Sequence, residues 1–461
     1  MVRVHRRLRR IVQGLRRGAV AGIVLAAFCL IAPAAQAINI ERVISDRGIE
    51  AWLVEDHRVP MISLQLAFRG GSALDPKGKE GLSQLVAALI DEGAGSLDSQ
   101  AFQRILEENS IRLGFNASTD NFGGNLTTLS KNREVAFDML RLSLAMPRFD
   151  QGPRDRVESQ ILSSIQAAAE NPRRIASETW YRAAYPDHPY GRSAQGRRTS
   201  IKSITKRDLE NFVTQRFGRD RLFVAVVGDI TAEELKPMLD STFGGLRDKT
   251  DPIVLPAVEP RVKGDVFIIE KKIPQSVVTF GHAGIMRKDP DYYAAYVINS
   301  IFGGGGLTSK LMEEVREKRG LVYSVSTALA PFDRSALLMG SAATVNERVG
   351  ETIEIIRQEW AKLRDQGVSD EDLADAKTFL TGSFLTQISS SGRMASLLLA
   401  IQLEDLGIDY IDKRNSYIEA VTQADLKRVA ARILKPEALT FVIVGNPVGI
   451  EATGKAPEEE R

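Results

Sequence analysis

Few residues in this sequence are placed to do chemistry together. The chain has four histidines, His5, His57, His188 and His282, and a single cysteine, Cys29. His57, His188 and His282 share no metal-ligand spacing. One cysteine excludes an intrachain disulfide framework and any CxxC metal or redox site. Another grouping holds more promise. Arg316 stands near the end of a helix-like run from Leu307 to Arg319 that Gly320 would stop, and Tyr323 opens the strand-like alternation beyond it. A guanidinium offers a rigid fork of donors to a carboxylate or carbonyl, and a phenol offers one directed donor. Alternation predicts Tyr323 on the same side as Val325 and Thr327. Spacing alone favours a plainer reading: Arg316 as one charge among Glu313, Glu314, Glu317, Lys318 and Arg319, and Tyr323 as a core aromatic. The Gly303–Gly306 run lacks the G-K-[ST] ending of a phosphate loop, because Lys310 follows Ser309. It reads as a turn for close helix packing, or for a peptide to lie across. No nucleotide is expected.

The elements that would position these residues are written twice. Ser203 to Ile230 lies without gaps over Ala420 to Pro447, with Thr205-x-x-Asp208 recurring as Thr422-x-x-Asp425, a capping-box pattern. Each copy continues as an amphipathic helix and an apolar strand ending in Val227-Gly228 or Val444-Gly445. Val59-Pro60 recurs as Ile273-Pro274, and Asp75-Pro76 as Asp289-Pro290. Two homologous domains follow, at 38–246 and 265–450, joined by a proline-spaced linker at 247–264 and ending in a polar tail at 451–461. Strands such as Ser63 to Phe68 and Ser276 to Ala283 alternate with helical runs at Asn132 to Ala145, Arg154 to Glu170 and Asn346 to Asp365. The expected fold class is α+β, each domain a mostly antiparallel mixed sheet with helices packed on one face.

Composition narrows the function classes. Of 461 residues, 43% are hydrophobic and 26% charged, an ordinary globular balance. Seven of the 61 basic residues, and none of the 59 acidic ones, fall in the first 37 positions, so the remainder carries an acidic excess. That is no nucleic-acid footprint. A basic stretch, Met1 to Arg17, an apolar run, Ala19 to Ala32, and Ala35-Gln36-Ala37 form a secretory leader. The apolar run falls short of the ~20 residues a membrane-spanning helix needs. Cleavage after Ala37, a periplasmic protein and no stable membrane anchor are expected.

The stretch Gly70 to Ala94, GGSALDPKGKEGLSQLVAALIDEGA, resembles the pitrilysin/insulinase family, the inverted-motif zinc peptidases that include the mitochondrial processing peptidase. There a helix carries H-x-x-E-H: two histidines on one face bind zinc and the glutamate serves as base. The matching positions here are Gln84, Ala87 and Ala88, which offer neither good ligand nor base. The family's further ligand comes from a glutamate pair downstream, and Ser163-Ser164 stand in its place. Glu158 and Glu170 share that run at other positions, and the HPYG around His188 also occurs in the family away from zinc.

The second half keeps more. Phe280 to Ala328 follows the family's C-terminal pattern of a glycine-rich turn, a helix ending in Arg, and Gly-Leu-x-Tyr opening a strand. In the family that Arg and Tyr reach the zinc site of another half, grip the substrate and help stabilise the tetrahedral intermediate. The matching residues are Arg316 and Tyr323. Loss of the zinc motif with retention of this pair resembles the non-catalytic subunit of a two-subunit member. The resemblance implies a peptide-binding chain with no metal of its own, inactive alone, and a homologous H-x-x-E-H partner that supplies zinc in a heterodimer. The alternative is a peptide-binding or scaffold protein with no enzymatic role.

Overall fold

The computed structural model describes residues 38–252 and 254–458, the side chains of Leu385 and Gln387 excepted. The leader read at Met1 to Ala37 lies outside the described residues.

Two sheets are built from alternating runs. The first contains β1 (Glu41–Ile44), β2 (Glu50–Glu55), β3 (Met61–Arg69), β4 (Arg112–Ala117), β5 (Asn121–Leu129) and β6 (Leu222–Gly228), in the order β1-β2-β6-β3-β5-β4. The second contains β7 (Val266–Glu270), β8 (Gln275–Ala283), β9 (Val322–Pro331), β10 (Ala336–Val345) and β11 (Thr440–Gly445), in the order β7-β11-β8-β10-β9. With β1 set aside, the two orders superpose strand for strand. Each has one parallel pairing, β2 with β6 and β7 with β11, in an otherwise antiparallel ladder. The shared order shows that the second sheet repeats the topology of the first. Both predicted capping boxes form: Thr205 and Thr422 accept from the Asp208 and Asp425 amides while those carboxylates accept in return.

The period-2 pattern explains the layers. In β8, Val278 and Phe280 join a core with the second half's own helices, while Val277 joins a separate cluster with Ala176, Trp180 and Ala184 of the first half. Those three residues lie on helix Pro172–Ala184, which packs across β8 and β11. Reciprocally, helix Ser391–Leu403 of the second half packs across β3 and β6. Each half's own helices cover one face, as expected, and a helix exchanged from the other half covers the second. This is why β11 is buried along its whole length.

Polar anchors fix the exchange. The Trp180 indole N–H donates to the Thr440 carbonyl at 3.1 Å, and the Gln402 amide donates to the Val224 carbonyl at 3.0 Å. The Arg69 guanidinium meets Asp333 at 2.8 Å, and Lys271 meets Glu170 at 2.6 Å. After Arg247 the described residues of the proline-spaced stretch form no helix or strand, and the Arg261 N–H ties it to the Ala184 carbonyl at 2.8 Å.

Candidate functional site

Helix Leu82–Leu89 carries the degenerate motif. Its start is positioned by Asp75, whose carboxylate accepts from the Ser83 amide at 3.2 Å and the Ser83 hydroxyl at 3.0 Å. Arg216 pairs with Asp75 at 3.3 Å and donates to the Gly71 and Leu74 carbonyls. Burial pushes the Asp75 carboxyl up to about 6 against the opposing pull of Arg216. Gly81 precedes the helix at φ +92°, and a Cβ there would come within 2.6 Å of the Gln195 carbonyl. The helix is therefore seated tightly on Gln195 and on Ile201 of helix Arg198–Ser203.

The motif positions do not fit zinc. The Gln84 amide nitrogen donates to the Ala117 carbonyl at 2.7 Å, Ala87 is buried, and Ala88 is exposed. Helix Gln151–Glu170 packs against this helix, and its Ser164 hydroxyl accepts from the Gln195 amide at 2.8 Å. Glu170 is committed to Lys271, which holds its carboxyl below the usual range. Among the described residues, no group of three His, Cys, Asp or Glu side chains could hold a metal. A hydrolytic step through zinc cannot be built on these side chains.

The remaining histidines have structural partners. His188 accepts from the Tyr190 amide at 3.2 Å, leaving its other nitrogen to donate to the Pro256 carbonyl, and burial lowers its pKa. His282 accepts from the Trp360 indole at 2.9 Å and donates to the Ala283 carbonyl at 2.7 Å. Burial holds its pKa down to about 4. His57 is exposed and bonded to Asp229 at 2.7 Å, which raises its pKa.

Arg316 and Tyr323 do come together. The helix bearing Arg316 starts later than the sequence suggested, and its Met312–Glu317 portion is π-helical, with the Lys318 amide bonded to the Glu313 carbonyl. The glycine run ahead of it lets this segment sit on β9: a Cβ at Gly303 would lie 2.5 Å from the Thr327 hydroxyl. Lys318 and Arg319 engage Glu314, whose carboxyl is drawn down to about 2 mainly by those two bonds. Lys318 also takes Glu313 at 2.9 Å. Among the described residues, Arg316 is left with only a loose 3.6 Å contact to Glu317. Its guanidinium lies 5.8 Å from the centre of the Tyr323 ring.

The face expected for Tyr323 is not the one observed, and the plainer core-aromatic alternative does not hold. Tyr323 is 81% exposed, while Val325 and Thr327 are 2% and 5% exposed. The cause is a bulge. Val322 pairs with Thr344 and Ser324 with Ala343, so Tyr323 is an extra residue on β9 and is turned outward. Nothing in the bare alternation signals this.

A cavity of about 1350 Å³ opens beside Ser164, with Ile165 and Gln195 in its wall. Sequence reading missed it, although Arg173-Arg174 and Arg197-Arg198 stand in the sequence as adjacent basic pairs.

The family profile described as "Insulinase (Peptidase family M16)" matches residues 51–197, and that described as "Peptidase M16 inactive domain" matches residues 203–380. The chain belongs to the M16, or insulinase, peptidase family. It is 27% identical over 330 residues to the "Non-peptidase homolog YmxG" of Helicobacter pylori, covering 71% of this chain and 76% of that protein. It is 24% identical to an "Uncharacterized zinc protease" of Rickettsia felis, covering 76% of this chain and 82% of the relative. Among solved structures, a peptidase M16 inactive domain from Pseudomonas fluorescens superposes with a TM-score of 0.83 at 26% identity, over 90% of this chain and all of that one. Among the described residues no helix is long and apolar enough to cross a membrane.

Proposed function

We propose that this chain is the non-catalytic subunit of a periplasmic heterodimeric zinc metallopeptidase. It binds peptide and presents Arg316 and Tyr323 to the zinc site of a homologous partner that carries H-x-x-E-H. The zinc belongs to that partner. The observation that carries the reading is the outward-turned Arg316–Tyr323 pair: the neighbouring carboxylates Glu313 and Glu314 are neutralised by Lys318 and Arg319, and the bulge sends the phenol to solvent. The absent ligands at Gln84, Ala87, Ala88 and Ser164 support the same division of labour. So does likeness to a relative named a non-peptidase homologue. Two donors presented from a rigid helix end and strand suit an oxyanion or substrate carbonyl, each worth ~3 kcal/mol in transition-state stabilisation. The leader supports export to the periplasm.

The test is reconstitution. The chain and an H-x-x-E-H member of the family from the same organism are expressed separately and together, and zinc content and peptide cleavage are measured. The expected result is a stable pair with zinc on the partner and hydrolysis only in the mixture. Stoichiometric zinc on this chain alone would overturn the reading, as would failure to associate. A stable pair with no gain in hydrolysis would favour the scaffold alternative.

A further inference from the structure

The cavity beside Ser164 is strongly cationic in a chain whose residues after position 37 carry an acidic excess. Among the described residues, Arg173, Arg174, Arg182, Arg192, Arg197 and Arg198 line it, together with the carboxylate of Glu178. Glu178 engages Arg174 at 2.9 Å, and Arg192 donates to the Asp75 carbonyl at 3.2 Å. Arg173 and Arg198 are exposed and have no ion-pair partner among the described residues. Between the arginines lie Tyr181, Tyr190 and Phe332, so the wall is apolar as well as cationic. About 1350 Å³ exceeds the ~300–1,000 Å³ typical of small-molecule sites. Polypeptide already touches the wall: Ala456 and Pro457 line the cavity, and the Arg182 guanidinium donates to the Pro457 carbonyl at 3.3 Å. The next residue is the acidic Glu458.

We propose that this cavity is a binding site for an acidic peptide segment, with backbone carbonyls and Glu or Asp carboxylates taken by the arginines and apolar side chains by the aromatic wall. The occupant is a segment of another chain, and this chain's own C-terminal stretch, which shares the chemistry, is tested as its competitor. This site is distinct from the Arg316–Tyr323 pair, and binding to the single chain does not depend on any partner.

The experiment measures fluorescence anisotropy of a labelled glutamate-rich peptide and of its lysine-substituted counterpart. Each is titrated with the full chain, with a chain ending after Lys455, and with the full-length Arg173→Glu/Arg198→Glu variant. The expected result is binding of the acidic peptide only, weakened at least tenfold by the double reversal and falling with added salt. Tighter binding by the shortened chain would show that the native C-terminal stretch competes for the cavity. Equal affinity would assign the site to an outside ligand. No binding by either chain, equal binding of both peptides, or a photo-crosslink from the peptide mapping away from the cavity wall (Thr119, 165–198, Ile269, Phe332 and 456–457) would overturn the proposal. If the double variant fails to fold, the crosslink position and the lysine counterpart still decide.

Discussion

Tyr323 faces water because one extra residue interrupts the pairing of β9 with β10, and Arg316 lies beside it with only a loose ionic contact of its own. Both side chains can then be removed at little cost to folding. Tyr323→Ala at its exposed position should change unfolding free energy by no more than ~0.5 kcal/mol in urea titrations, and half-buried Arg316→Ala by no more than ~1 kcal/mol. A loss of several kcal/mol would place them in the core instead. His282 behaves oppositely. Buried and neutral, it refuses a proton that the unfolded chain accepts at its ordinary pKa of ~6.5. Its contribution is therefore complete above that value and is lost as pH falls toward about 4. The loss is on the order of 3 kcal/mol at 1.36 kcal/mol per pKa unit. Urea midpoints measured from pH 7 to 4 should fall in that window, and His282→Gln should flatten the slope. An unchanged slope in that variant would assign the acid sensitivity to other groups.

At the scale of elements, two contacts place the Arg316 helix and lock the halves together. Gly303 allows the turn before that helix to approach Thr327, so Gly303→Ala forces backbone or side chain apart and should cost ~1–3 kcal/mol. A neutral effect in thermal or urea unfolding would show that this approach is not tight. Trp180, fully buried and bonded to Thr440 across the exchange, should cost ~3–5 kcal/mol when replaced by Ala. A much smaller loss would mean the exchanged helix contributes little. Much of this scaffold was legible in the sequence. The strands around Ser63 and Ser276 showed their period, and Thr205-x-x-Asp208 and Thr422-x-x-Asp425 announced their helices, because such signals are local. The bulge at Tyr323 was not legible, since it is defined by its partner strand. Nor was the second layer on each sheet, since Trp180 and Gln402 find their partners far away in sequence. The cationic cavity was half-legible: its arginine pairs were visible, their convergence was not.

For the whole molecule, exchange of helices makes the duplication interdependent. Each half would expose the sheet face that the other covers, so 38–246 or 265–450 expressed alone should aggregate, and the intact chain should unfold in a single transition. Two well-separated calorimetric transitions would contradict this. On the proposed reading, duplication lets the first half do without a metal site while the second half presents a donor pair. The corresponding residues sit on different elements, helix Leu82–Leu89 and the junction of a π-helical turn with β9. The most direct measurement is kcat/KM for peptide cleavage by the assembled pair, comparing the wild-type chain with Arg316→Ala/Tyr323→Ala while confirming that zinc content and assembly are unchanged. The expected result is a fall of about 100-fold or more, from the loss of ~3 kcal/mol or more of transition-state stabilisation. Undiminished turnover by a fully assembled, zinc-loaded mutant pair would contradict the account.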